Sequence, residues 1–271
     1  MVRGLDSIFL IRGGNPGCQG GRQDYESTFL TVGLPLRTVG RNLSSTAKSC
    51  RVKSDYSMLR VTEIFHSIQG ESTHAGRPCT FVRLTGCPMR CVWCDSEYTF
   101  TGGESLTLAD VLERVRAFDC KLVEVTGGEP LAQREAFTLI ENLCSEGFEV
   151  LVETGGYVST EAVDARAKII LDVKCPASGE EANNHWPNLE RLRADRDEVK
   201  FVIANFADWT YALEVIKRHE LNKRARAVLI SPAWEAVDLK DVAEWVAASG
   251  LDLRMQLQLH KYIWGPEARG V

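Results

Sequence analysis

The chain has 271 residues, of which 44% are hydrophobic and 25% charged, and its formal net charge is -5 at pH 7. This composition predicts one globular core domain, and the negative charge gives no reason to expect nucleic acid as a ligand. The sequence contains no apolar run long enough for a membrane span and no convincing secretory leader, and its nine cysteines lack a disulfide framework, which together favour a reducing compartment such as the cytoplasm.

Residues 1–57 differ in composition from the rest of the chain. They are rich in Gly, Ser, Arg and Thr and show no sustained hydrophobic period, which predicts a disordered extension. Met58 stands directly before the first strand-like segment, and we therefore consider it a candidate for the true start of translation. The core domain is expected over residues 58–271.

From residue 59 onward, strand-like segments alternate with segments of helical periodicity, which predicts an α/β fold with a parallel sheet. The predicted strands span residues 59–65, 79–84, 122–125, 149–153, 169–173, 198–203, 227–230 and 254–257. The predicted helices span residues 108–118, 134–146, 206–218 and 239–248, the first opened by Thr107 as a cap and the second stopped by Gly147. Residues 175–197 are less regular and carry only weak signals for short helices.

Three cysteines follow the second predicted strand with the spacing C-x3-C-x2-C, namely Cys87, Cys91 and Cys94. Iron-sulfur clusters are normally held by four thiolates, so three leave one iron free to bind a cofactor or substrate. Structural zinc is the alternative, but it requires four closed ligands, and no second short pair occurs in the chain. The remaining cysteines are scattered singly, and those beside apolar segments are expected to be packing residues (Cys79, Cys120 and Cys144).

A second motif lies after the strand at residues 122–125, in the turn Gly127-Gly128-Glu129-Pro130. Glycines at the end of a strand let the backbone approach a ligand closely. Alone, this tetrapeptide would indicate an ordinary turn, and Trp93 beside Cys94 would indicate a core tryptophan. In this order along the chain, the three features resemble the signature of the radical S-adenosylmethionine (SAM) superfamily.

Further motifs narrow this resemblance. The segments at residues 63–71, 74–78, 81–87, 94–96, 153–154 and 258–263 are similar to those of the 7-carboxy-7-deazaguanine synthase (QueE) family, and the similarity extends over residues 60–266. It implies a partial, open β/α barrel of about six parallel strands. It also implies a lyase of queuosine and 7-deazapurine biosynthesis, in which a SAM-derived radical converts 6-carboxy-5,6,7,8-tetrahydropterin to 7-carboxy-7-deazaguanine with release of ammonia.

The resemblance also implies roles for individual residues. The 4Fe-4S cluster falls to Cys87, Cys91 and Cys94, and magnesium to Ser96, where many relatives have threonine. SAM contacts fall to Trp93, Asp95, Gly128, Glu129, Asp172, Lys174, Ser231 and Pro232. Substrate contacts fall to Ile68, Gln69, Gly70, Arg83, Thr126, His260 and Pro266, with Arg83 as the residue that holds the substrate carboxylate through two hydrogen bonds.

Two residues near these motifs remain without a firm role. Glu153 precedes Thr-Gly-Gly, where relatives commonly show Thr-Asn-Gly, so a contact from the missing asparagine side chain is not expected. Lys200 lies in a predicted strand and is expected to be a solvated strand lysine, with a place in the cavity as the alternative.

The family resemblance further implies a homodimer and an electron donor such as flavodoxin. Two other functions stay open on the residues alone. One is a radical SAM activase that forms a glycyl radical on a partner protein, since it shares the cysteines and the GGEP turn. The other is a binding module stabilised by zinc.

Overall fold

The computed structural model of the protein describes residues 58–271. The predictions of a disordered extension over residues 1–57 and of a start at Met58 concern a segment outside these residues. The described part contains one nine-stranded sheet in the order β3-β1-β2-β4-β5-β6-β7-β8-β9. Its strands are β1 (Met58–Ile68), β2 (Pro78–Leu84), β3 (Glu104–Thr107), β4 (Leu122–Gly127), β5 (Glu149–Thr154), β6 (Lys168–Val173), β7 (Glu198–Ile203), β8 (Ala227–Pro232) and β9 (Arg254–Met255).

Seven α-helices accompany the sheet in the described residues. They are α1 (Leu108–Arg116), α2 (Glu135–Ser145), α3 (Pro187–Glu190), α4 (Phe206–Arg218), α5 (Leu221–Arg224), α6 (Leu239–Ala248) and α7 (Leu259–Trp264). None of these helices has the length and apolarity that crossing a membrane requires.

The sheet is mostly parallel, as predicted. Strands β2, β4, β5, β6, β7, β8 and β9 pair in parallel, and all connections between them except that from β5 to β6 contain a helix. Strand β1 is the exception, because it pairs antiparallel with both β2 and β3. The two edges are formed by β3 and β9, so the sheet is open and not a closed barrel.

Most predicted elements are found, with differences at their ends. Helices α4 and α6 have the predicted bounds, while α1 and α2 are one to three residues shorter than predicted. Thr107 caps α1 through a reciprocal bond with Asp110, and Gly147 takes a positive φ of 84° after α2. Strand β9 keeps only two of its four predicted residues, and β3 and α7 were not predicted because both are short and carry no clear periodicity.

The outer face of the sheet forms most of the core. Helix α2 buries Ala136, Leu139, Ile140 and Leu143, which recur at the spacing of one helix face, against strands β1 to β5. Helices α4 and α6 cover β6 to β8 in the same way. Each strand of the parallel part is therefore buried on both faces, as expected for a sheet with helical crossovers.

The inner face of the sheet changes character along the strands. Near the amino ends, apolar side chains from β2, β4, β5 and β6 form a separate cluster that includes Phe81, Leu122, Leu151 and Ile170. Two residues further along β4, β5 and β6, the same face carries Glu124, Glu153 and Asp172, because side chains alternate across a strand with a period of two. The interior is thus closed by apolar residues at one end and lined by charged residues at the other.

The sheet is also stabilised by polar contacts of a buried carboxylate, Asp197, that lies away from this interior. Asp197 has no exposed surface, and it accepts hydrogen bonds from the backbone of Ile169 and from the backbone and guanidinium of Arg193 at 2.7–2.9 Å. We predict that Asp197→Asn lowers the free energy of unfolding by about 2–4 kcal/mol, since it leaves a partly buried arginine without its counter-charge. Chemical denaturation measures this loss, and a change below about 0.5 kcal/mol, the range of ordinary surface substitutions, would contradict it.

Candidate active site

The largest cavity of the described residues opens at the carboxyl ends of the parallel strands, where ligands usually bind in α/β sheets. Nearly all residues that the sequence analysis assigned to a site line it. They are Ile68, Gln69, Gly70, Arg83, Cys87, Cys91, Trp93, Cys94, Asp95, Ser96, Thr126, Gly128, Asp172, Lys174, Ser231, His260 and Pro266. Glu129 and Pro232 are the exceptions, because they lie outside the wall of this cavity.

The three motif cysteines are free thiols at one side of the cavity. Their loop is held by backbone bonds from Cys94 to Cys91, at 3.2 Å, and from Val92 to Ser178, at 3.0 Å. Burial raises the pKa of Cys87 and of Cys91, while the charge of Lys174 acts in the opposite direction on both. A bound metal centre is the group that would keep such thiols as thiolates.

Structural zinc is the alternative to an iron-sulfur cluster at these three cysteines. Across residues 58–271, no three Cys, His, Asp or Glu side chains are arranged to hold a single metal ion. A cluster with several irons spreads its thiolate ligands further apart than one tetrahedral ion does. The three free thiols on one loop therefore fit an iron-sulfur cluster, and the described residues give no support to structural zinc.

The Gly127-Gly128 turn packs directly on the backbone that precedes Cys87. The amides of Gly128 and Glu129 donate to the carbonyls of Leu84 and Gly86, at 3.2 and 2.9 Å. A Cβ atom on Gly128 would lie 2.4 Å from the carbonyl oxygen of Gly86 and 2.8 Å from the Cβ of Cys87. The two motifs found in the sequence are thus in contact, and glycine is what permits that contact.

The side chain of Glu129 stabilises this turn through hydrogen bonds. Its buried carboxylate accepts hydrogen bonds from Thr154, at 2.8 and 2.9 Å, from Gly155, at 2.8 Å, and from Leu131, at 3.0 Å. Burial raises the pKa of Glu129, although these hydrogen bonds favour the anion. In the described structure it holds the ends of β4 and β5 together, and a direct contact with SAM stays a prediction.

A cation and an unsatisfied acceptor lie beside the cysteine loop. Lys174 Nζ contacts Oδ2 of Asp172 at 2.8 Å. Burial lowers the pKa of Lys174, but the charges of Asp172 and Cys91 and the hydrogen bond to Asp172 together raise it above its ordinary value. The other oxygen of Asp172, Oδ1, is buried and has no hydrogen-bond partner among the described residues. Such an orphan acceptor in a cavity wall indicates a ligand that donates a hydrogen bond, for example a sugar hydroxyl.

Arg83 faces the cavity from β2 with most of its donors unused. Its Nε donates to Glu63 at 2.8 Å, and Tyr98 donates to the same carboxylate oxygen at 2.9 Å. The terminal nitrogens of Arg83 form no hydrogen bond within residues 58–271, and Arg269 lies 4.2 Å from the Tyr98 ring. Glu63 thus orients Arg83 without occupying the fork that could bind a carboxylate.

The C-terminal segment closes on the loop after β1. The amide of Leu259 donates to Gly70 at 3.1 Å, and a Cβ on Gly70 would lie 2.5 Å from Nδ1 of His260. Burial lowers the pKa of His260. Asp95 is held from the same segment by Lys261 and Gln258, each at 2.9 Å.

A group of buried charges at the centre of the cavity was largely missed by sequence reasoning. Lys200 is 6% exposed and pairs with Glu71, at 3.0 Å, and with Glu153, so its expected place in solvent is wrong. Gln69 donates to Glu124 through Nε2 and accepts from the amide of Glu71, at 2.7 Å, through Oε1. Both ends of the Gln69 side chain are therefore engaged inside the protein, and the neighbouring Gly70 accepts from Leu259 through its carbonyl.

A signal for these residues was present in the sequence. Glu124 is flanked by Val123 and Val125, and Lys200 by Val199 and Phe201, in strands that are otherwise apolar. Fully buried charged residues are rare unless they are paired. A single charge in each of two buried strands therefore predicts a polar interior, although not which residues pair.

Comparisons with known proteins agree with this site. Residues 81–177, which contain both motifs, match the model of the radical SAM superfamily. The chain is 44% identical over 227 residues to a 7-carboxy-7-deazaguanine synthase of Koribacter versatilis, and the match covers 79% of this chain and 100% of that protein. It is 44% identical over 215 residues to the synthase of Chlorobaculum tepidum, which covers 79% of this chain and 97% of that protein.

The fold is also found in a solved structure. A crystal structure of QueE from Escherichia coli matches with a TM-score of 0.59 and 23% sequence identity, covering 75% of this chain and 95% of that chain. At this identity the match bears on the fold, which it confirms as that of a radical SAM enzyme. The two synthases above are similar enough to establish the family.

The close contact at Gly128 yields a prediction for cluster binding. Gly128→Ala adds a Cβ that collides with Gly86 and Cys87, and we expect the cysteine loop to move by about 1 Å, which costs about 100-fold in turnover of a positioned site. Iron content and cluster absorption after anaerobic reconstitution are expected to fall as well. Gly250→Ala is the control, since a Cβ there meets open space far from the cavity and has only the cost of its positive φ. Equal iron loading in the two variants would contradict the prediction.

Proposed function

The chain belongs to the 7-carboxy-7-deazaguanine synthase family of radical SAM enzymes, and we propose that it converts 6-carboxy-5,6,7,8-tetrahydropterin to 7-carboxy-7-deazaguanine with release of ammonia. The product feeds the biosynthesis of queuosine and other 7-deazapurines. One observation carries the proposal: a single cavity is lined both by three free thiols and by Arg83, whose terminal nitrogens are unused.

The cysteine side of the cavity is where the cofactors would be held. Cys87, Cys91 and Cys94 would hold the cluster, which together with SAM would supply radical chemistry at carbon 6 of the substrate. Asp172 offers a free acceptor for a hydroxyl of SAM, and Trp93 offers a flat apolar face for its base. Glu129 supports the turn on which Gly128 faces the cavity.

The cavity residues around Arg83 are suited to a flat substrate that carries a carboxylate. Arg83 can bind the carboxylate through two parallel hydrogen bonds, while Thr126, its neighbour in the register of β2 and β4, is placed for a further contact. His260 and the tail through Pro266 cover this side from the C-terminal segment. A glycyl-radical activase has no need for such a small carboxylate site, so this side of the cavity favours the synthase.

Further partners belong to the same proposal. Ser96 lines the cavity two residues after Cys94, where its hydroxyl can join water and substrate oxygens around magnesium. Val92, 73% exposed within the cysteine loop, brings the cluster site near the surface, as an electron donor such as flavodoxin requires.

The compartment and the oligomeric state belong to the proposal as well. The seven cysteines of the described residues are all free, which suits the cytoplasm. A homodimer is proposed from the family resemblance.

The reaction can be tested directly. We expect the anaerobically reconstituted protein to form 7-carboxy-7-deazaguanine from the pterin, SAM, magnesium and dithionite, as measured by mass spectrometry. Cys94→Ala is expected to abolish product, because the cluster loses one of its three ligands. Cys144→Ala, a change of the same kind in the buried face of α2, is the control and should keep full activity. Deoxyadenosine without the deazapurine would retain the superfamily and refute the substrate.

The role of Arg83 is tested by a change that keeps its charge. Arg83→Lys removes the planar fork, and we expect KM for the pterin to rise about 10- to 100-fold, since a bidentate ion pair is replaced by a point charge. Arg77→Lys is the matched control, because Arg77 forms a two-pronged pair with Glu149 outside the cavity, at 3.1 and 2.6 Å. An unchanged KM for Arg83→Lys would exclude this carboxylate site.

A further inference from the structure

Glu124 is a carboxyl group without a cation of its own. It lies in β4, its side chain lines the cavity, and the residue is 2% exposed. In the sheet it is flanked by Phe81 of β2 and Leu151 of β5, both apolar. No lysine or arginine of the described chain forms an ion pair with it, although Lys200 contacts both Glu71 and Glu153 nearby. The low exposure and missing cation make an isolated negative charge costly there.

The surroundings of Glu124 indicate how this cost is avoided. The Gln69 amide donates from Nε2 to Oε2 of Glu124. Glu153 lies on the next strand and also lines the cavity, but its carboxylate is paired with Lys200. A buried carboxyl group without a cation avoids the cost of an isolated charge by holding its proton. The geometry therefore favours a neutral acid at Glu124.

The groups that surround Glu124 agree with this arrangement. Burial raises the pKa of Glu124 well above its ordinary value near 4.5, and the charges of Glu153 and Glu71 act in the same direction, while Lys200 opposes them. From β2 it faces Cys79, whose pKa burial also raises, so that this thiol stays neutral. With three acids and one lysine, a proton on Glu124 leaves the group with one negative charge in place of two.

We propose that Glu124 is a positioning residue of the active site, which holds its proton and so fixes the Gln69 amide beside the ion pairs of Lys200 without adding a second negative charge to the cavity. This inference rests on the proposed function. It extends that function by giving a role to a residue that has no place among the predicted ligands. Because Gln69 Oε1 accepts from the amide of Glu71, the same hydrogen bonds also set the course of the loop that carries Ile68 and Gly70.

Two substitutions separate a neutral acid from an anion at this position. Glu124→Gln keeps a neutral side chain with an acceptor for Gln69, so kcat/KM for the pterin should stay within about threefold of wild type. Glu124→Leu leaves the Gln69 amide unpaired, and an unsatisfied buried polar group costs enough to lower kcat/KM about 10- to 100-fold. Deoxyadenosine released per product should rise in Glu124→Leu, since a misplaced substrate lets the radical be lost.

The pH dependence gives a readout that a purely structural role would not change. The proton is held at low and neutral pH and is lost as the pH rises through the raised pKa of Glu124, so wild-type activity should fall on the alkaline side. Glu124→Gln has no proton to lose at this position. Its alkaline limb should therefore move to higher pH or disappear.

Infrared spectroscopy of the reconstituted full-length enzyme observes the proton without any turnover. The difference spectrum of wild type minus Glu124→Gln should contain the carbonyl stretch of a protonated carboxylic acid, which shifts in heavy water and disappears at alkaline pH. Asp197→Asn is the matched control, an acid-to-amide change at a fully buried carboxyl outside the cavity, and it should keep the wild-type alkaline limb.

Three results would overturn the inference. They are equal losses in Glu124→Gln and Glu124→Leu, full activity in both, or a difference spectrum without the acid band. If wild type itself forms no deazapurine, the proposed function fails. The infrared comparison then still decides whether Glu124 holds the proton.

Discussion

The buried charge of Lys200 is the constraint on which the interior of this enzyme depends. A lysine can stay ionised inside a protein only when acids lie against it, and although burial lowers the pKa of Lys200, the charges of Glu153 and Glu71 raise it well above its ordinary range. Glu153 belongs to β5, whereas Glu71 lies in the loop after β1 and also accepts from Gln256 and Gln258 near the C-terminus. One cation thereby joins the middle of the sheet to both segments that close over it. Removing either acid would leave the buried lysine with one partner in place of two, so these segments are held by electrostatics as well as by packing.

The position of this cation follows from the alternation of side chains along parallel strands. The apolar cluster around Leu122 and Leu151 closes the lower end of the interior, and the next inward residues are the acids Glu124 and Glu153. The cluster excludes water from below, which strengthens every ionic contact above it. At the carboxyl ends the glycines of β4 and the turn after it bring backbone against the cysteine loop. The fold therefore forms a closed floor, a charged middle layer and a rim of motif residues in a single sheet.

How much of this could be predicted from the sequence depends on the range of the interactions. Helix α4 was bounded correctly because its cap and its period are local, and the cysteine spacing gave the site because the three thiols lie on one loop. The antiparallel pairing of β1 and the two-residue strand β9 depend on which neighbours the chain meets, and no local pattern encodes them. The same holds for Glu63, whose partner Arg83 lies on the adjacent strand. Lys200 was placed in solvent because a strand lysine is usually solvated, and only the acids from two other elements reverse that preference.

The pairing of Arg83 with Glu63 has a consequence for how a substrate carboxylate would be recognised. Since Glu63 already balances the charge of the guanidinium, a ligand carboxylate gains little from net attraction, and it must gain from the geometry of the two free terminal nitrogens. Tyr98 holds Glu63 in place by donating to the oxygen that also accepts from Arg83, so the orientation of the fork is set before a ligand arrives. Affinity at this end of the cavity then depends on a rigid hydrogen-bond pattern, whereas the cysteine end offers Lys174 and an unsatisfied oxygen of Asp172. Two ligands with different charges can therefore occupy one cavity without competing for the same groups.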